Sequence, residues 1–173
     1  MNSYAEYLVS RKKNVFDYVI ILLVIFAGVS ATLCLAGFLM LQLYGMFAAL
    51  AIAAVWFVVY SVICSRNIEY EYCVTENVLD VDIITAKKKR KRLVSIDLKN
   101  AEIIAPATHD YSQQYNKEGL NNKLDASMGD NGILDFFVIY LDDDDRVSRL
   151  VFTPDKTVLD LIKRVNPSNT FFE

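Results

Sequence analysis

The sequence is poor in the residues that carry most catalytic and metal chemistry. It holds one histidine, His109, and three widely separated cysteines, Cys34, Cys64 and Cys73, with no CxxC pair. That spacing argues against a zinc site and a disulfide framework, and a lone Cys73 in a strand-like segment suits a reducing compartment. There is no glycine-rich phosphate loop, no HExxH and no GxSxG. No nucleophile can be tied to the His109-Asp110 pair, so neither an enzyme nor a cofactor is expected. Charge is missing as well, but only locally. Between Val15 and Cys64 there is no Lys, Arg or His, and Asp17 is the single carboxylate.

That tract, with its single carboxylate, is the most informative part of the chain. Its length of about 50 residues is too great for one membrane helix and right for two. The polar spot Gln42-Leu43-Tyr44-Gly45 divides it into spans of roughly 16–41 and 46–64. A first span of this length, about 39 Å as a helix, exceeds the hydrocarbon core and should tilt. It is also nearly twice a secretory h-region. The connection is short enough to force an antiparallel hairpin. Small residues recur every fourth position, at Gly28, Thr32 and Ala36 in the first span and Gly45, Ala49 and Ala53 in the second. Such rows let helix backbones approach, either within the hairpin or between copies. Arg11, Lys12 and Lys13 precede the first span, Arg66 follows the second, and the turn has no cation. The positive-inside rule then puts both termini in the cytoplasm, in a multi-pass protein of the cell membrane. Asp17, at the edge of its span, reads as an interfacial anion paired with Lys12 or Lys13.

Residues 1–14 form a cytoplasmic or interfacial segment, 15–65 the hairpin and 66–173 a cytoplasmic domain. In the first segment Tyr4, Tyr7, Leu8 and Arg11 share one helical face, which suits a short interfacial helix. From Ile68 the period changes to two. Ile68, Tyr70, Tyr72 and Val74 alternate with Glu69, Glu71 and Cys73; a turn at 75–77 follows, and then Leu79, Val81 and Ile83 alternate with Asp80 and Asp82. This is a hairpin pattern. Two short strands at 93–98 and 101–105 come next, and residues 108–132 read as a long polar loop. A strand at 134–141 is apolar on both faces, as a doubly covered strand is, and a return strand covers 146–152. The last element is an amphipathic helix. Thr153 reads as its N-cap and Pro154 as its first residue. Val158, Leu161, Ile162 and Val165 form its buried stripe, and Asn166-Pro167 ends it.

A membrane α-helical hairpin followed by about six antiparallel strands and one closing helix resembles the pleckstrin-homology (PH-like) architecture. More narrowly, the chain resembles small bacterial membrane proteins with two N-terminal spans and a cytoplasmic PH-like domain. The paired spans carry the likeness, together with Tyr70-Glu71-Tyr72-Cys73-Val74-Thr75-Glu76-Asn77, Ile96-Asp97-Leu98, and the ending from Phe152-Thr153-Pro154-Asp155 to Val165-Asn166-Pro167. The resemblance implies a fold and a location, not an activity: a cytoplasmic α+β domain, an open antiparallel β-barrel capped by the C-terminal helix.

The candidate binding residues are the six consecutive cations Lys87, Lys88, Lys89, Arg90, Lys91 and Arg92. The preceding strand leaves the end of the second span, and its partner brings the chain back. The run should therefore form a turn facing the cytoplasmic leaflet, where anionic lipids attract Lys and Arg. The alternatives are a solvated positive-inside hairpin with no ligand, a membrane or cytoplasmic protein and, last, nucleic acid. The four anions Asp142 to Asp145 lack the alternating ligands of a calcium loop and read as a plain acidic turn far from the bilayer. The expected function is a membrane-tethered PH-like binding or scaffold module. The alternative is an accessory subunit of an oligomeric transport or channel complex.

Overall fold

In a computed structural model, which describes residues 4–39, 45–130, 134–142 and 144–172, the chain divides into two units. One is Lys13–Asn67, and the other joins Met1–Lys12 to Ile68–Glu173.

The first unit holds helices α1 (Val15–Leu39) and α2 (Gly45–Ser65). Both are long and apolar enough to cross a membrane, and only 6% and 11% of their most apolar stretches are buried. A core helix of a soluble domain would be largely covered, and these are not. The polar residues 42–44 between them lie outside the described residues. Where the helices meet, an added Cβ on Gly28 would stand 2.8 Å from Cγ2 of Val59, so only glycine fits at this crossing. One turn on, Thr32 Oγ1 donates to the carbonyl of Gly28 (2.8 Å), and Trp56 Nε1 donates to Thr32 Oγ1 (3.1 Å). Trp56 thus ties α2 to α1.

The described residues of the second unit form eight strands in two sheets. The first sheet is an antiparallel meander of β1 (Tyr4–Ser10), β2 (Ile68–Thr75), β3 (Val78–Thr85) and β4 (Lys89–Asp97). The second contains β5 (Ile103–Pro106), β6 (Lys123–Ala126), β7 (Phe136–Leu141) and β8 (Val147–Phe152) in the order β5-β7-β8-β6. The β6 and β8 strands run parallel. The short helix α3 (Ser112–Tyr115) lies in the β5–β6 connection, and α4 (Lys156–Val165) follows β8.

Several sequence expectations are corrected here. The N-terminal segment is not an interfacial helix. Residues 4–10 form a strand paired over its whole length with β2, from Tyr4 opposite Thr75 to Ser10 opposite Glu69. Ala5 and Val9 point into the core, so period two prevails over the helical reading. The helical hairpin is therefore an insertion between two neighbouring strands. The polar loop contains a fourth edge, β6, held by its parallel ladder. Among the described residues the strands number eight rather than six, and they form two sheets that do not close into a barrel. A 3-10 turn at Leu98–Asn100 carries the chain from one sheet to the other.

The main core lies between the sheets and under α4, with Tyr72, Leu79, Ile96, Leu98, Phe152 and Ile162 fully enclosed. A smaller cluster of Ala105, Phe137, Ile139 and Val151 covers the opposite face of β7, as a strand apolar on both faces requires. The cap of α4 is Asp155, whose side chain accepts from Val158 N (2.9 Å). Thr153 is used differently: its hydroxyl donates to Asp135 Oδ1 (2.5 Å) and accepts from Met128 N (2.8 Å).

Candidate ligand-binding surface

The six cations do not all lie in the turn. The turn proper is Ala86-Lys87-Lys88, closed by Lys88 N donating to Thr85 O (3.1 Å). From Lys89 the run is strand, paired residue by residue with β3. Ala86 and Lys87 both adopt positive φ, 55° and 56°. Paired left-handed positions give the hairpin the twist of its strands, at an expense of roughly 1 kcal/mol or more for each non-glycine residue.

Strand alternation divides the remaining cations between two faces. Arg90 and Arg92 stand on the outer face of the first sheet, opposite a row of acids. The Arg90 guanidinium meets Glu71 Oε2 at 3.0 Å and Asp82 Oδ2 at 2.6 Å. Arg92 meets Asp80 Oδ2 at 3.1 Å and Asp82 Oδ1 at 3.4 Å. Glu71 and Asp82 are each only 6% exposed. Lys89 and Lys91 point to the other face, beside Thr85 and Ile83. Lys87 reaches Glu69 only at 3.9 Å and with 76% of its side chain exposed, a contact of small value in water. All six cations are exposed. The acids Glu71, Asp80 and Asp82 were not singled out in the sequence. The matched two-residue spacing of Asp80/Asp82 and Arg90/Arg92 was the available signal.

Burial raises the Glu71 carboxyl above the ordinary glutamate value of 4.5, a hydrogen bond with Glu6 raises it further, and the Arg90 charge opposes both. A raised pKa means that the folded state holds the proton more tightly than the unfolded chain. This contribution is full below pH 4.5 and is lost as the pH rises through the folded value. Glu71→Gln should therefore lessen the decline in melting temperature between about pH 4 and 7. Calorimetry at several pH values checks this, and parallel curves for the two proteins would refute it.

The turn stands at a definite end of the sheet. Ile68 pairs with Thr85, and Thr85 pairs with Lys89. Ser10 pairs with Glu69 at the same end. The chain leaves this sheet after Ser10 and re-enters it at Ile68. Lys89 therefore lies two strand spacings, roughly 10 Å, from the re-entry point. The acidic turn lies elsewhere. Lys12 N donates to Met128 O (2.7 Å), and Met128 is bonded to Thr153 at the end of β8. Asp142 pairs its turn with the opposite end of that six-residue strand, roughly 20 Å away. There it accepts from the backbone of Asp144 (3.0 Å) and Arg146 (2.9 Å) and from Asn121 Nδ2 (3.1 Å). These bonds, the Arg146 backbone first, hold its carboxyl below the usual range. They define an organised turn. Asp143 lies outside the described residues.

The remaining sequence candidates are dispersed. His109 is exposed in a 3-10 turn. Asp17 is 4% exposed and faces Arg66 at 3.6 Å. Lys12 pairs with Asp130 at 2.5 Å. Gly28 and Thr32 stand at the contact of α1 with α2, and Ala36 is half-buried, whereas Ala49 and Ala53 are exposed on α2. The side chain position of Gly45 lies outside the described residues. Among the described residues no group of three or more His, Cys, Asp or Glu side chains is placed to hold a metal ion.

The family model described as "Bacterial PH-like domain (DUF6106)" matches residues 1–172, including the first strand and both apolar helices. No curated protein and no solved structure is matched.

Proposed function

Because the chain belongs to the bacterial PH-like domain family, we propose that it is a non-enzymatic binding and scaffold module, anchored in the cell membrane by α1 and α2, whose basic β3–β4 hairpin contacts anionic lipid headgroups. The observation that carries this reading is the register. It sets the cationic hairpin at the end of the sheet where the chain departs for the apolar helices. Both termini are cytoplasmic, since Arg11, Lys12, Lys13 and Arg66 flank the helix ends. Two spans already hold the protein in the bilayer, so the hairpin is not needed for recruitment. At about 1 kcal/mol per cation near an anionic leaflet, it fixes the orientation of the domain. The acidic turn at Asp142, repelled by the same surface, acts in the same sense.

Hydrogen exchange on the full chain in nanodiscs tests the reading. Replacing part of the phosphatidylcholine with phosphatidylglycerol should slow exchange across residues 84–93. Neutralising Lys87 to Arg92 with glutamine, or adding 0.5 M salt, should abolish the difference. Identical exchange in both lipids would favour a cytoplasmic protein as the ligand.

A second reading, an accessory subunit of an oligomeric transport or channel complex, is supported by the exposure of Ala49 and Ala53 on one face of α2. Close helix approach at that face predicts a dimer or larger species in mild detergent that Ala53→Leu dissociates. A wild-type monomer by light scattering would end this reading.

A further inference from the structure

We propose that lysines alone, Lys88, Lys89 and Lys91, form the headgroup contact, whereas Arg90 and Arg92 are internal struts of the first sheet; this rests on the headgroup reading above. The β3–β4 ladder carries a bulge between Val81 and Asp82, where Val94 and Arg92 are the successive partners and Leu93 is passed over. The bulge inverts the phase of β4. Val94 and Ile96 face the core, yet Arg90 and Arg92, of the same parity, face the acids on the outer side. Each guanidinium there is held by two carboxylates. Withdrawing Arg90 would strand Glu71, 6% exposed, withdrawing Arg92 would strand Asp80, and withdrawing both would also leave Asp82, 6% exposed, without a counter-charge. Lys88, Lys89 and Lys91 carry no such obligation. Among the described residues no carboxylate lies within ion-pair distance of their ammonium groups, and all three are exposed. Lys89 and Lys91 project from one face about 7 Å apart, the two-residue repeat of a strand, and Lys88 adjoins them at the left-handed turn. A flexible ammonium with three donors suits lipid phosphates of varied geometry, whereas planar guanidinium forks match carboxylates.

The ligand is the phosphate of bilayer headgroups, and side-chain footprinting of the full chain in nanodiscs tests the assignment. In phosphatidylglycerol-containing discs, acylation of Lys88, Lys89 and Lys91 should slow about fivefold relative to phosphatidylcholine discs, the ratio for ~1 kcal/mol per cation. Lys99, Lys156 and Lys163 should be unchanged, as should dicarbonyl labelling of Arg90 and Arg92. Soluble glycerol phosphate added to phosphatidylcholine discs should protect nothing. Equal protection of the arginines and lysines would overturn the division of roles while leaving the headgroup contact standing. Protection by soluble glycerol phosphate would replace the bilayer with a free anion as ligand. No protection anywhere would overturn the headgroup reading itself. As a check on variants, K88Q/K89Q/K91Q should lose the lipid-dependent protection of residues 84–93 at an unchanged melting temperature. R90Q/R92Q should melt lower and, at temperatures where it is folded, retain that protection.

Discussion

A protein reduced to residues 68–173 is expected to melt at least 10–20 °C below one in which residues 1–12 are joined to residue 68 by a short Gly/Ser linker. The missing strand buries Val9 (2% exposed) and Ala5 (5%), sets Tyr7 against Tyr72 with ring centroids 6.3 Å apart, and lies under α4. Its apolar burial alone is worth about 3–4 kcal/mol. Against a total domain stability of about 5–15 kcal/mol, that is a large share. Loss of β1 also leaves β2 with a row of unpaired backbone groups, an edge prone to aggregation. The linker can be short because Arg11 N donates to Ile68 O at 2.9 Å. Val9→Asp in the linked protein should reproduce most of the deletion, since it buries an uncompensated charge. Thermal melts of the three proteins decide it, and a residue 68–173 fragment as stable as the linked form would show that β1 contributes nothing. A lipid-binding assay on that fragment would accordingly examine a damaged domain.

Tyr72 is the second position of large effect. Its side chain is fully buried between the sheets. The hydroxyl donates to Ala126 O (2.5 Å) and accepts from Thr153 N (3.3 Å), and the ring meets Phe152 edge-on at 5.6 Å. One phenol thus joins β2 to the ends of β6 and β8. Tyr72→Phe strands a buried carbonyl and a buried N–H and should cost about 1–3 kcal/mol. Tyr72→Ala adds a cavity and should cost about 3–5 kcal/mol. Burial raises the phenol pKa above its ordinary value of 10.0. The folded state therefore holds this proton more tightly than the unfolded chain. The associated stability is complete below pH 10 and is lost as the pH rises beyond it. Tyr72→Phe should blunt alkaline unfolding. A Phe variant melting within 1–2 °C of wild type would show that the hydroxyl joins nothing.

The elements that can be read from the sequence are those whose pattern is local. The 23-residue and 20-residue apolar stretches of α1 and α2 stand out by composition. The β2–β3 hairpin shows its alternation around a tight turn, and α4 shows its stripe at Val158, Leu161 and Ile162. Elements defined by distant partners were hidden. Seven residues of β1 fit a helical face as well as a strand, and their partners begin more than fifty residues later, beyond the hairpin. The four residues of β6 become a strand only through a parallel ladder to β8. The cap of α4 moved from Thr153 to Asp155 because the Thr153 hydroxyl is engaged by Asp135 and Met128.

The basic run shows the same division. Composition alone determined that six cations stand together, next to a strand that begins where the second apolar helix ends. It could not determine which of them are free. Simple alternation would put Arg90 and Arg92 on the face of Val94 and Ile96, inside the core, and would set the lysines against the acids. The bulge at Leu93 reverses that assignment. It sends the arginines to Glu71, Asp80 and Asp82 and leaves Lys89 and Lys91 without a carboxylate partner among the described residues. A single extra residue in one strand, fixed only by the pairing with β3 and by burial of Val94 and Ile96, shifts the period-two pattern by one. That shift separates the carboxylate-paired arginines from the lysines proposed to bind, and it exists only in the paired sheet.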